Sequence, residues 1–396
     1  MSKIDLRIPL GFISPAACTY DEWLQIGMAL CLEGYPYEIW EDWSRKDSER
    51  FHEGESLTDR SRAPNTVPGR TSPELEAKIV QMRKEHPAIG AVKLRKIMEN
   101  AGYKDLPCAK TFNNIFHRHN LIEKEASRAA TPHQRFERAS PNEMWQADFK
   151  GYFRLDNGIQ CHPLNILDDC SRFNLCTEAL TNETFGAVKP VIERLFQEYG
   201  LPKVFLCDNG NPWGTPQSMG YTQFEVWLME LGILTIHGRP RHPQTQGKEE
   251  RYNRSFTREC LKGKHFLDIA HAQLCFDEYR QFYNQTRPHC ALDMEVPQSK
   301  YAASERRMPE RIEEWEYGAE YQLCKVKETG YFNYHGQGFF LSEAFGNKTI
   351  AVRESHLPGQ ITLVFRNFKI GRIDLEARAY TLRRAYLLED DPRANV

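Results

Sequence analysis

The stretch Met144-Trp145-Gln146-Ala147-Asp148-Phe149-Lys150-Gly151 places one acidic residue inside a run that is otherwise typical of a β-strand. A carboxylate in the middle of an apolar strand is costly to bury without a partner. The cost is tolerable where the carboxylate binds a cation, so Asp148 is a candidate functional residue. The alternative is purely structural, with the side chain capping the end of the strand or forming an Asx turn.

A second acidic residue ends a second apolar run. Asp208 follows Val204-Phe205-Leu206-Cys207 and precedes Asn209-Gly210, which is a turn signal. The point where a buried strand meets a turn is a common place for a functional carboxylate. Taken alone, Asp208 is better explained as an Asx turn at the end of the strand.

A third acidic candidate, Glu250, lies in a strongly basic segment. Between Arg239 and Lys264 the chain has 8 Lys or Arg and 3 Glu, so 8 − 3 = +5. These cations can attract phosphates, and a carboxylate with a bound metal ion can act on a phosphodiester beside them. The simpler explanation is an i,i+4 pair of Glu250 with Arg254 on a solvated helix.

The region around these residues alternates between strand and helix patterns. Strands are predicted at Met144–Tyr152, Pro163–Leu167, Phe173–Leu180, Lys203–Cys207 and Ile233–His237. Helices are predicted at Thr184–Tyr199, Thr222–Leu231, Gly247–Leu261, 268–283 and 294–304. Three successive strands followed by α/β alternation indicate a mixed sheet with helices on its faces. From Tyr321 to Ile373, strand-like runs separated by glycines predict a small all-β module.

The segment before this region is basic. Residues 57–140 carry 16 Lys or Arg and 9 Asp or Glu, so 16 − 9 = +7. Three short helices are predicted after Ser72, and the third shows Lys110, Asn113, Asn114, His117 and Arg118 on its outer side. Such a helix suits a helix-turn-helix fold, since Lys and Arg reach phosphates and Asn can pair with adenine. An ordinary three-helix bundle is the alternative.

The first 56 residues are acidic, with 5 Lys or Arg and 11 Asp or Glu, so 5 − 11 = −6. Thr19 and Glu22 have capping-box spacing, which predicts a helix that closes near Gly34 and is followed by a second one. The segment from Tyr20-Asp21-Glu22-Trp23 to Trp40-Glu41-Asp42-Trp43-Ser44 resembles part of a C-terminal helical domain of phage and plasmid primases. We expect a structural or partner-binding role for it, and no DNA binding.

The whole chain has 396 residues and a formal net charge of −2, and its length predicts two to four domains. It has no apolar run of about 18 residues and no signal-peptide pattern, so we expect a soluble intracellular protein without a membrane span. The eleven cysteines stand singly, which favours reduced thiols over a zinc site or a disulfide framework.

The ordered motifs resemble the integrase catalytic core shared by retroviral integrases and bacterial insertion-sequence transposases. The matching motifs are Trp145-Gln146-x-Asp148-Phe149-Lys150-Gly151, Asp168-Asp169-x-Ser171-Arg172-Phe173, Asp208-Asn209-Gly210, His242-Pro243-Gln244-Thr245-Gln246-Gly247-Lys248-x-Glu250-Arg251-x-Asn253-Arg254 and Tyr283-Asn284-x-x-Arg287-Pro288-His289. The linker Leu57-Thr58-Asp59-Arg60-Ser61-Arg62 also resembles one transposase group. The resemblance runs from about residue 53 to about residue 380.

The resemblance implies a multi-domain α/β protein with a ribonuclease-H-like catalytic core, a helix-turn-helix segment before it and a small β-barrel after it. It implies Asp148, Asp208 and Glu250 as an acidic triad that holds two Mg²⁺ or Mn²⁺ ions, which favour oxygen ligands. The implied reaction is cleavage of DNA at the ends of an element, followed by strand transfer to target DNA.

The triad has two unusual features, a pair of adjacent glutamates and a long separation between its second and third acids. Glu249 and Glu250 are adjacent, and consecutive helical residues point about 100° apart, so we expect only one of them to face the ions; the family pattern selects Glu250. The separation 250 − 208 = 42 exceeds that of retroviral integrases, and we assign the extra length to the loop from Asn211 to Gly220. Asp168 and Asp169 lie outside the triad and are predicted to form a turn at a strand end.

The candidate DNA contacts divide between two helices. They are Lys110, Asn113, Asn114 and Arg118 on the third helix of the basic segment, and Arg241, Lys248, Arg251 and Arg254 around Glu250. Plain salt bridges are the alternative for Lys248 and Arg254. The expected domains are a primase-like fragment at 1–55, a linker at 56–72, a helix-turn-helix domain at 73–122, a linker at 123–140, the catalytic core at 141–305 and the barrel at 318–385.

These expectations describe a transposase that acts as a homo-multimer on element ends and target DNA, in the bacterial cytoplasm and associated with the nucleoid. Two alternatives stay open. One is a silent or domesticated relative that only binds DNA, although all three acidic residues are present. The other is a metal-dependent nuclease without strand transfer, which the basic segment and the β module disfavour but do not exclude.

Overall fold

The computed structural model describes residues 5–47, 71–122, 138–214, 220–238, 247–382 and 385–388. The chain divides into two compact units, Met1–Arg70 and Thr71–Val396. None of the helices in these described ranges is long and apolar enough to cross a membrane. All eleven cysteines are free, and most are buried or half-buried, as their scattered positions predicted.

The first unit is built on a pair of helices with an aromatic core. Its helices are α1 (Arg7–Leu10), α2 (Tyr20–Leu32) and α3 (Tyr37–Ser44). The predicted capping box is confirmed, since Thr19 and Glu22 satisfy each other's backbone groups at the start of α2. The rings of Trp23 and Trp40 lie 4.4 Å apart, and Trp40 packs so closely on Gly27 that a Cβ there would collide with it.

The second unit begins with three helices around one apolar core, as the sequence predicts. They are α4 (Pro73–Glu85), α5 (Ala91–Asn100) and α6 (Ala109–Arg118). Ser72 caps α4 through the backbone N–H of Leu75, and Phe112 and Phe116 of α6 are fully buried. His86, just after α4, stacks on Phe282 at a ring distance of 4.7 Å, which connects this bundle to the rest of the unit.

A mixed sheet forms the centre of the second unit, which confirms the predicted α/β pattern. Its strands are β1 (Met144–Phe149), β2 (Phe153–Arg154), β3 (Gln160–Asp168), β4 (Asn174–Leu180), β5 (Val204–Cys207) and β6 (Leu234–His237). The strand order is β2-β3-β1-β5-β6, with β4 also paired to β3. Strand β1 runs antiparallel to β3 and parallel to β5.

Helices cover this sheet and provide its core. They are α7 (Phe185–Tyr199), α8 (Gln223–Glu230), α9 (Gly247–Phe256) and α10 (Ile269–Gln285). One buried cluster joins Trp145 and Phe205 of the strands to Phe196 of α7 and Phe224 of α8. A second cluster packs α9 and α10 against the other side through residues such as Tyr252 and Phe276. Strand β1 is therefore covered on both faces.

Several predicted boundaries are wrong, including the start of the second predicted strand, which is Gln160 rather than Pro163. The first strand ends at Phe149 rather than at Tyr152, because Gly151 has a positive φ of 85°. The helix after Gly247 changes to a π-turn at Thr257–Leu261. No helix spans 294–304; short 3₁₀ turns at Cys290–Leu292 and Pro297–Lys300 replace it, since Asp293 and Met294 both take positive φ and interrupt the ladder.

The last part of the second unit is all-β, as predicted. Its strands are β7 (Gln322–Lys325), β8 (Tyr331–Tyr334), β9 (Gln337–Phe340), β10 (Thr349–Glu354), β11 (Gln360–Phe365), β12 (Phe368–Asp374), β13 (Ala379–Leu382) and β14 (Tyr386–Leu387). They form a sheet of order β13-β12-β11-β10-β7, with β14 beside β12, and a separate β8-β9 hairpin. This order does not test the predicted closure into a barrel, which stays a prediction.

The end of α7 gives a test of the core packing. Gly200 has φ 78° and ψ −175°, and a Cβ there would lie 2.7 Å from the carbonyl oxygens of Ser304 and Arg306. Gly200→Ala is therefore expected to lower the free energy of unfolding by about 3 kcal/mol or more, from backbone strain and collision together. Urea unfolding of the full chain measures this loss.

Gly158→Ala is the matched control for this substitution. Gly158 also has a positive φ, of 83°, but a Cβ there would meet nothing within 4 Å. Only the backbone strain remains, so we expect a loss of about 1 kcal/mol. Equal losses for the two variants would contradict the close approach at Gly200.

Candidate active site

Asp148 is held by Asn253, which is held in turn by Asn165; the sequence analysis missed the role of both asparagines. It lies near the end of β1, opposite Asn165 of β3. The Asp148 Oδ2 accepts a hydrogen bond of 2.7 Å from the Nδ2 of Asn253, and the Asn253 Oδ1 accepts one of 2.8 Å from the Nδ2 of Asn165. This chain of hydrogen bonds ties β1, β3 and α9 together at the acidic residue. The sequence feature that could have indicated this role is Asn165, a polar residue within the largely apolar strand β3.

Asp208 directly follows β5, which runs parallel to β1, so the two aspartates lie at the same edge of the sheet. Its Oδ1 accepts a hydrogen bond of 2.9 Å from the backbone N–H of Gly210, which is the Asx turn that the sequence allowed. Its carbonyl oxygen is 2.7 Å from the Nδ1 of His237, and the Nε2 of that ring is 3.0 Å from Glu225. Two contacts therefore fix Asp208: the Gly210 N–H binds its side chain, and the His237 ring contacts its backbone carbonyl.

The His237 ring anchors the Asp208 turn. Burial disfavours the imidazolium form, but the hydrogen bond to Glu225 and the contact with the Asp208 carbonyl outweigh it and raise the pKa of His237. Glu225 also belongs to the capping box of α8, together with Thr222. The position of Asp208 therefore depends on α8 and β6 in addition to its own strand.

Asp148 and Glu250 line one open groove of about 460 Å³. The other residues that line it are Phe149, Lys150, Asn253, Arg254, Thr257 and Arg258. Asp208 is outside this lining but close enough for its charge to raise the pKa of Asp148. Within the described ranges, no three His, Cys, Asp or Glu side chains are gathered tightly enough to enclose a metal ion. The structure thus brings two of the three predicted acids into one groove and the third within electrostatic range.

The carboxyl group of Asp148 is strongly perturbed. Burial raises its pKa from the ordinary value of 3.8 to about 6. The hydrogen bond from Asn253 opposes this rise, whereas the charge of Asp208 adds to it. A buried carboxylate next to a second one is unfavourable unless a cation compensates the charge, which makes the pair suited to bind a divalent ion.

The adjacent glutamates of α9 point in different directions, as the helical geometry predicted. Glu250 is exposed and lines the groove, whereas Glu249 is 2% exposed and lies on the buried face with Tyr252 and Phe256. Burial, followed by the charges of Asp148, Asp208 and Asp169, raises the pKa of Glu249 well above its usual range. The assignment of Glu250 to the acidic triad stays a prediction.

Asp168 and Asp169 form the turn at the end of β3, and their hydrogen-bonding capacity is used inside the protein. Asp168 accepts hydrogen bonds from the backbone N–H groups of Asn142 and Ser171 and from the Ser171 hydroxyl. Asp169 accepts from the side chain of Gln146, from the backbone N–H of Arg138 and from Lys248. Neither aspartate is among the residues that line the groove.

The predicted DNA contacts near Glu250 have different surroundings. Arg251 and Arg254 are exposed, and Arg254 lines the groove. Lys248 is largely buried and forms an ion pair of 2.5 Å with Asp169, which is the salt-bridge alternative that the sequence left open. Arg241 lies outside the described residues.

The candidate residues on α6 occupy one surface, as the sequence predicted. Lys110, Asn113 and Asn114 are exposed along the helix. Arg118 is exposed too, but it pairs with Glu76 of α4 at 2.9 Å, and His119 binds the same carboxylate. Arg118 therefore stabilises the bundle, while the three other side chains lie open on its outer face.

Family comparisons match four parts of the chain. An integrase core domain model matches residues 138–243, and a second integrase core domain model matches residues 231–297. The C-terminal domain of IS481 family transposases matches residues 321–381. The primase C terminal 2 model matches residues 9–65, in the first unit.

Individual proteins with similar sequences come from bacterial insertion elements. An uncharacterized 39.2 kDa protein of IS476 from Xanthomonas euvesicatoria is 26% identical over 226 residues, which are 57% of this chain and 59% of that protein. An uncharacterized 31.7 kDa protein of IS407 from Burkholderia multivorans is 26% identical over 59% of this chain and 82% of its own. The putative transposase of IS5376 from Geobacillus stearothermophilus is 26% identical over 48% of each chain. The chain thus spans about three fifths of the first relative and about half of the third.

Two solved structures of viral integrases are similar at low scores. The HTLV-2 integrase catalytic core domain in complex with magnesium has a TM-score of 0.31 and 13% identity, and it covers 41% of this chain and 99% of its own. The simian T-cell lymphotropic virus intasome in complex with a PP2A regulatory subunit has a TM-score of 0.34 and 14% identity, over 79% of this chain and 97% of its own.

The raised pKa of Asp148 makes a prediction about stability without metal ions. The folded state holds the Asp148 proton more tightly than the unfolded state, so the contribution of Asp148 to stability is lost as pH rises from 3.8 to about 6. Asp148→Asn removes this cost, and we expect it to stabilise the metal-free protein by about 2 kcal/mol at pH 8. Chemical unfolding in the presence of a chelator, between pH 5 and pH 8, measures the difference.

The difference between the two proteins should shrink toward pH 5. Asp277→Asn, at an exposed position of α10, is the control and should change stability little at any pH. A metal-free Asp148→Asn protein that is less stable than the wild type at pH 8 would show that the carboxylate is compensated inside the fold.

Proposed function

We propose that this chain, a relative of the insertion-sequence transposases with an integrase-type core, cleaves the ends of a DNA element and joins them to target DNA. The observation that carries the proposal is the groove that Asp148 and Glu250 share within charge range of Asp208. It lies in the region matched by the integrase core models. We assign the catalytic role to these three acidic residues.

The groove suits divalent cations by the chemistry of its donors. Asp148, Asp208 and Glu250 offer hard carboxylate oxygens, which Mg²⁺ and Mn²⁺ prefer over nitrogen or sulfur. The buried Asp148 and the neighbouring Asp208 repel each other unless a cation lies between them. These three residues would hold two Mg²⁺ or Mn²⁺ ions. The ions would supply Lewis-acid activation of the attacking oxygen and charge stabilisation at the leaving oxygen.

Other residues in and beside the groove position the acidic side chains and the DNA. Asn253 fixes the orientation of Asp148 through its hydrogen bond, while the contact of His237 with the Asp208 carbonyl keeps that turn in place. Arg254 and Lys150 line the groove and can bind phosphate oxygens on either side of the scissile bond. We expect the backbone of a DNA end to lie along this surface.

Two successive in-line displacements at phosphorus give the overall reaction. In the first, a water oxygen attacks the phosphodiester at an element end, and the bond to the neighbouring oxygen breaks, which leaves a free 3′-hydroxyl. In the second, that 3′-hydroxyl attacks a phosphodiester of the target and displaces a target 3′-oxygen. In each step the attacking oxygen loses its proton to solvent and the leaving 3′-oxygen takes one up from solvent, and no protein–DNA bond is formed.

The finer architecture belongs to the same proposal. We take the mixed sheet to be a ribonuclease-H-like core and α4–α6 to be a helix-turn-helix domain that binds the element ends through Lys110, Asn113 and Asn114. We take the C-terminal sheet to be a small barrel that contacts DNA or a second subunit. The protein would act as a homo-multimer on paired ends, with its DNA in the bacterial nucleoid.

The acidic triad predicts the outcome of a strand-transfer assay. Purified protein, Mg²⁺ or Mn²⁺, labelled element ends and a plasmid should give joined products. Asp208→Asn should lower the yield by about a hundredfold or more, because the variant loses a charged metal ligand while its Asx turn is preserved. Gel electrophoresis of the labelled ends measures both cleavage and joining.

Glu198→Gln is the control, since this exposed residue of α7 should leave the yield unchanged. Cleavage without joining would favour a nuclease. Tight binding of the ends with no reaction in wild-type protein would favour a silent DNA-binding relative. Full activity of Asp208→Asn would refute the assignment of the triad.

The outer face of α6 predicts a separate effect on DNA binding. Lys110→Ala should weaken binding of all DNA sequences and lower the salt dependence of the affinity by about one counterion, as expected for a phosphate contact. Asn113→Ala should reduce the preference for the element end by about 1 to 3 kcal/mol, as expected for a base contact. Fluorescence anisotropy at several salt concentrations measures both quantities.

Lys78→Ala on α4 is the matched control, because Lys78 is exposed but lies on a different helix of the bundle. Affinities and salt dependence that are the same for Lys110→Ala and for the wild type would remove α6 as the DNA-binding surface. They would leave the assignment of the acidic groove untouched.

A further inference from the structure

Glu249 is an acidic residue that the proposed triad does not use. It lies in the first turn of α9, and its side chain is only 2% exposed. Its Oε1 is buried and has no hydrogen-bond partner among the described residues. A buried carboxyl oxygen without a partner costs free energy, so its retention in a fold favours a partner outside the described residues.

The surroundings of Glu249 are themselves acidic. Asp148, Asp208 and Asp169 are all close enough for their charges to act on it. Of these, Asp169 is already bound by Lys248 and by Gln146, so its charge is balanced inside the protein. Asp148 and Asp208 form no ion pair within the described residues, and the one cation whose charge lowers the pKa of Asp148 is Lys150, which lines the groove. The unbalanced negative charge therefore lies between Glu249 and the two predicted metal ligands.

The helix geometry places both glutamates of α9 beside Asp148. Asn253, which binds the Asp148 carboxylate, follows Glu249 by four residues and Glu250 by three. Residues three and four apart lie on neighbouring positions of a helix surface. The two glutamates therefore flank Asn253 on the side of α9 that faces β1, one beneath the surface and one in the groove.

We propose that Glu249 is a fourth carboxylate ligand of the metal centre, and that Glu249, Asp148 and Asp208 close around a divalent cation when one binds, with Glu250 on the groove side. This inference rests on the proposed function, since it concerns the same site. It adds a ligand to the expected metal centre, and that ligand lies on the buried face of α9 rather than in the groove. A cation there would give the unpartnered oxygen of Glu249 its missing contact and would balance the charge of its neighbours.

Metal affinity is the first test, measured on the full chain without DNA. Binding of Mn²⁺ is followed by electron paramagnetic resonance of the free ion. Glu249→Gln, which keeps the shape of the side chain, should weaken Mn²⁺ binding by about tenfold or more. Glu278→Gln, at an exposed position of α10, is the control and should bind Mn²⁺ like the wild type.

Direct ligation is separated from a merely structural role by a thiol substitution. Glu249→Cys should bind Mn²⁺ weakly but should take up Cd²⁺, because a thiolate prefers a soft ion. The expected signature is an ultraviolet thiolate-to-cadmium absorption in excess of that from the eleven native cysteines of the wild-type protein. A structural carboxyl at this position would give no such excess.

The outcomes distinguish this inference from the proposed function. A loss of Mn²⁺ affinity in Glu249→Gln, with the excess absorption in Glu249→Cys, supports the fourth ligand. Unchanged Mn²⁺ affinity in Glu249→Gln, with strand transfer still abolished by Asp208→Asn, overturns the fourth ligand and leaves the transposase intact. Wild-type protein that neither binds Mn²⁺ nor joins DNA overturns both.

Discussion

The hydrogen-bond chain from Asn165 through Asn253 to Asp148 is the interaction on which the arrangement of the site depends. It connects the buried Asn165 of β3 and Asn253 of α9 to the half-buried Asp148 of β1, so each of these elements is fixed relative to the acidic carboxylate. Asn253 can make both bonds because its amide offers a donor to the carboxylate and an acceptor to Asn165. The two hydrogen bonds of Asn253 together specify one geometry, and losing either of them would leave a further polar group unpaired next to the buried Oδ1 of Asn165, which has no partner among the described residues.

The sequence was informative wherever the signal was local. The alternation of strands and helices predicted the mixed sheet, and the apolar runs before Asp148 and Asp208 predicted the strands that end near one another. The capping box predicted at Thr19 is observed, and the helices predicted after Ser72 and from Thr222 begin where those two side chains cap them. Such features depend on a few consecutive residues, so their physical cause is visible in the chain itself.

The sequence was silent where long-range contacts decide the outcome. Nothing local indicates that Lys248 turns to Asp169, 79 residues away, instead of toward a ligand, or that Asn253 binds a residue 105 positions earlier. Only the helical period separates Glu249 from Glu250, and it does not say which face is buried; the apolar residues Tyr252 and Phe256 decide that in the fold. The predicted helix at 294–304 failed because two non-glycine residues take positive φ, which depends on their tertiary surroundings.

The acidic end of α9 requires an anchor at its other end. Glu249 and Glu250 place negative charge at the N-terminal end of α9, where the charges of Asp148 and Asp208 act on Glu249. The buried ion pair of Arg287 with Glu259, with both bonds at 2.8 Å, holds the π-turn that follows α9 against the segment after α10. Removing one partner of such a pair leaves a buried charge uncompensated, so its loss is costly. The helix is therefore fixed at its C-terminal side by an internal ion pair, whereas the carboxylates at its N-terminal side are the ones for which we propose a metal ion as the partner.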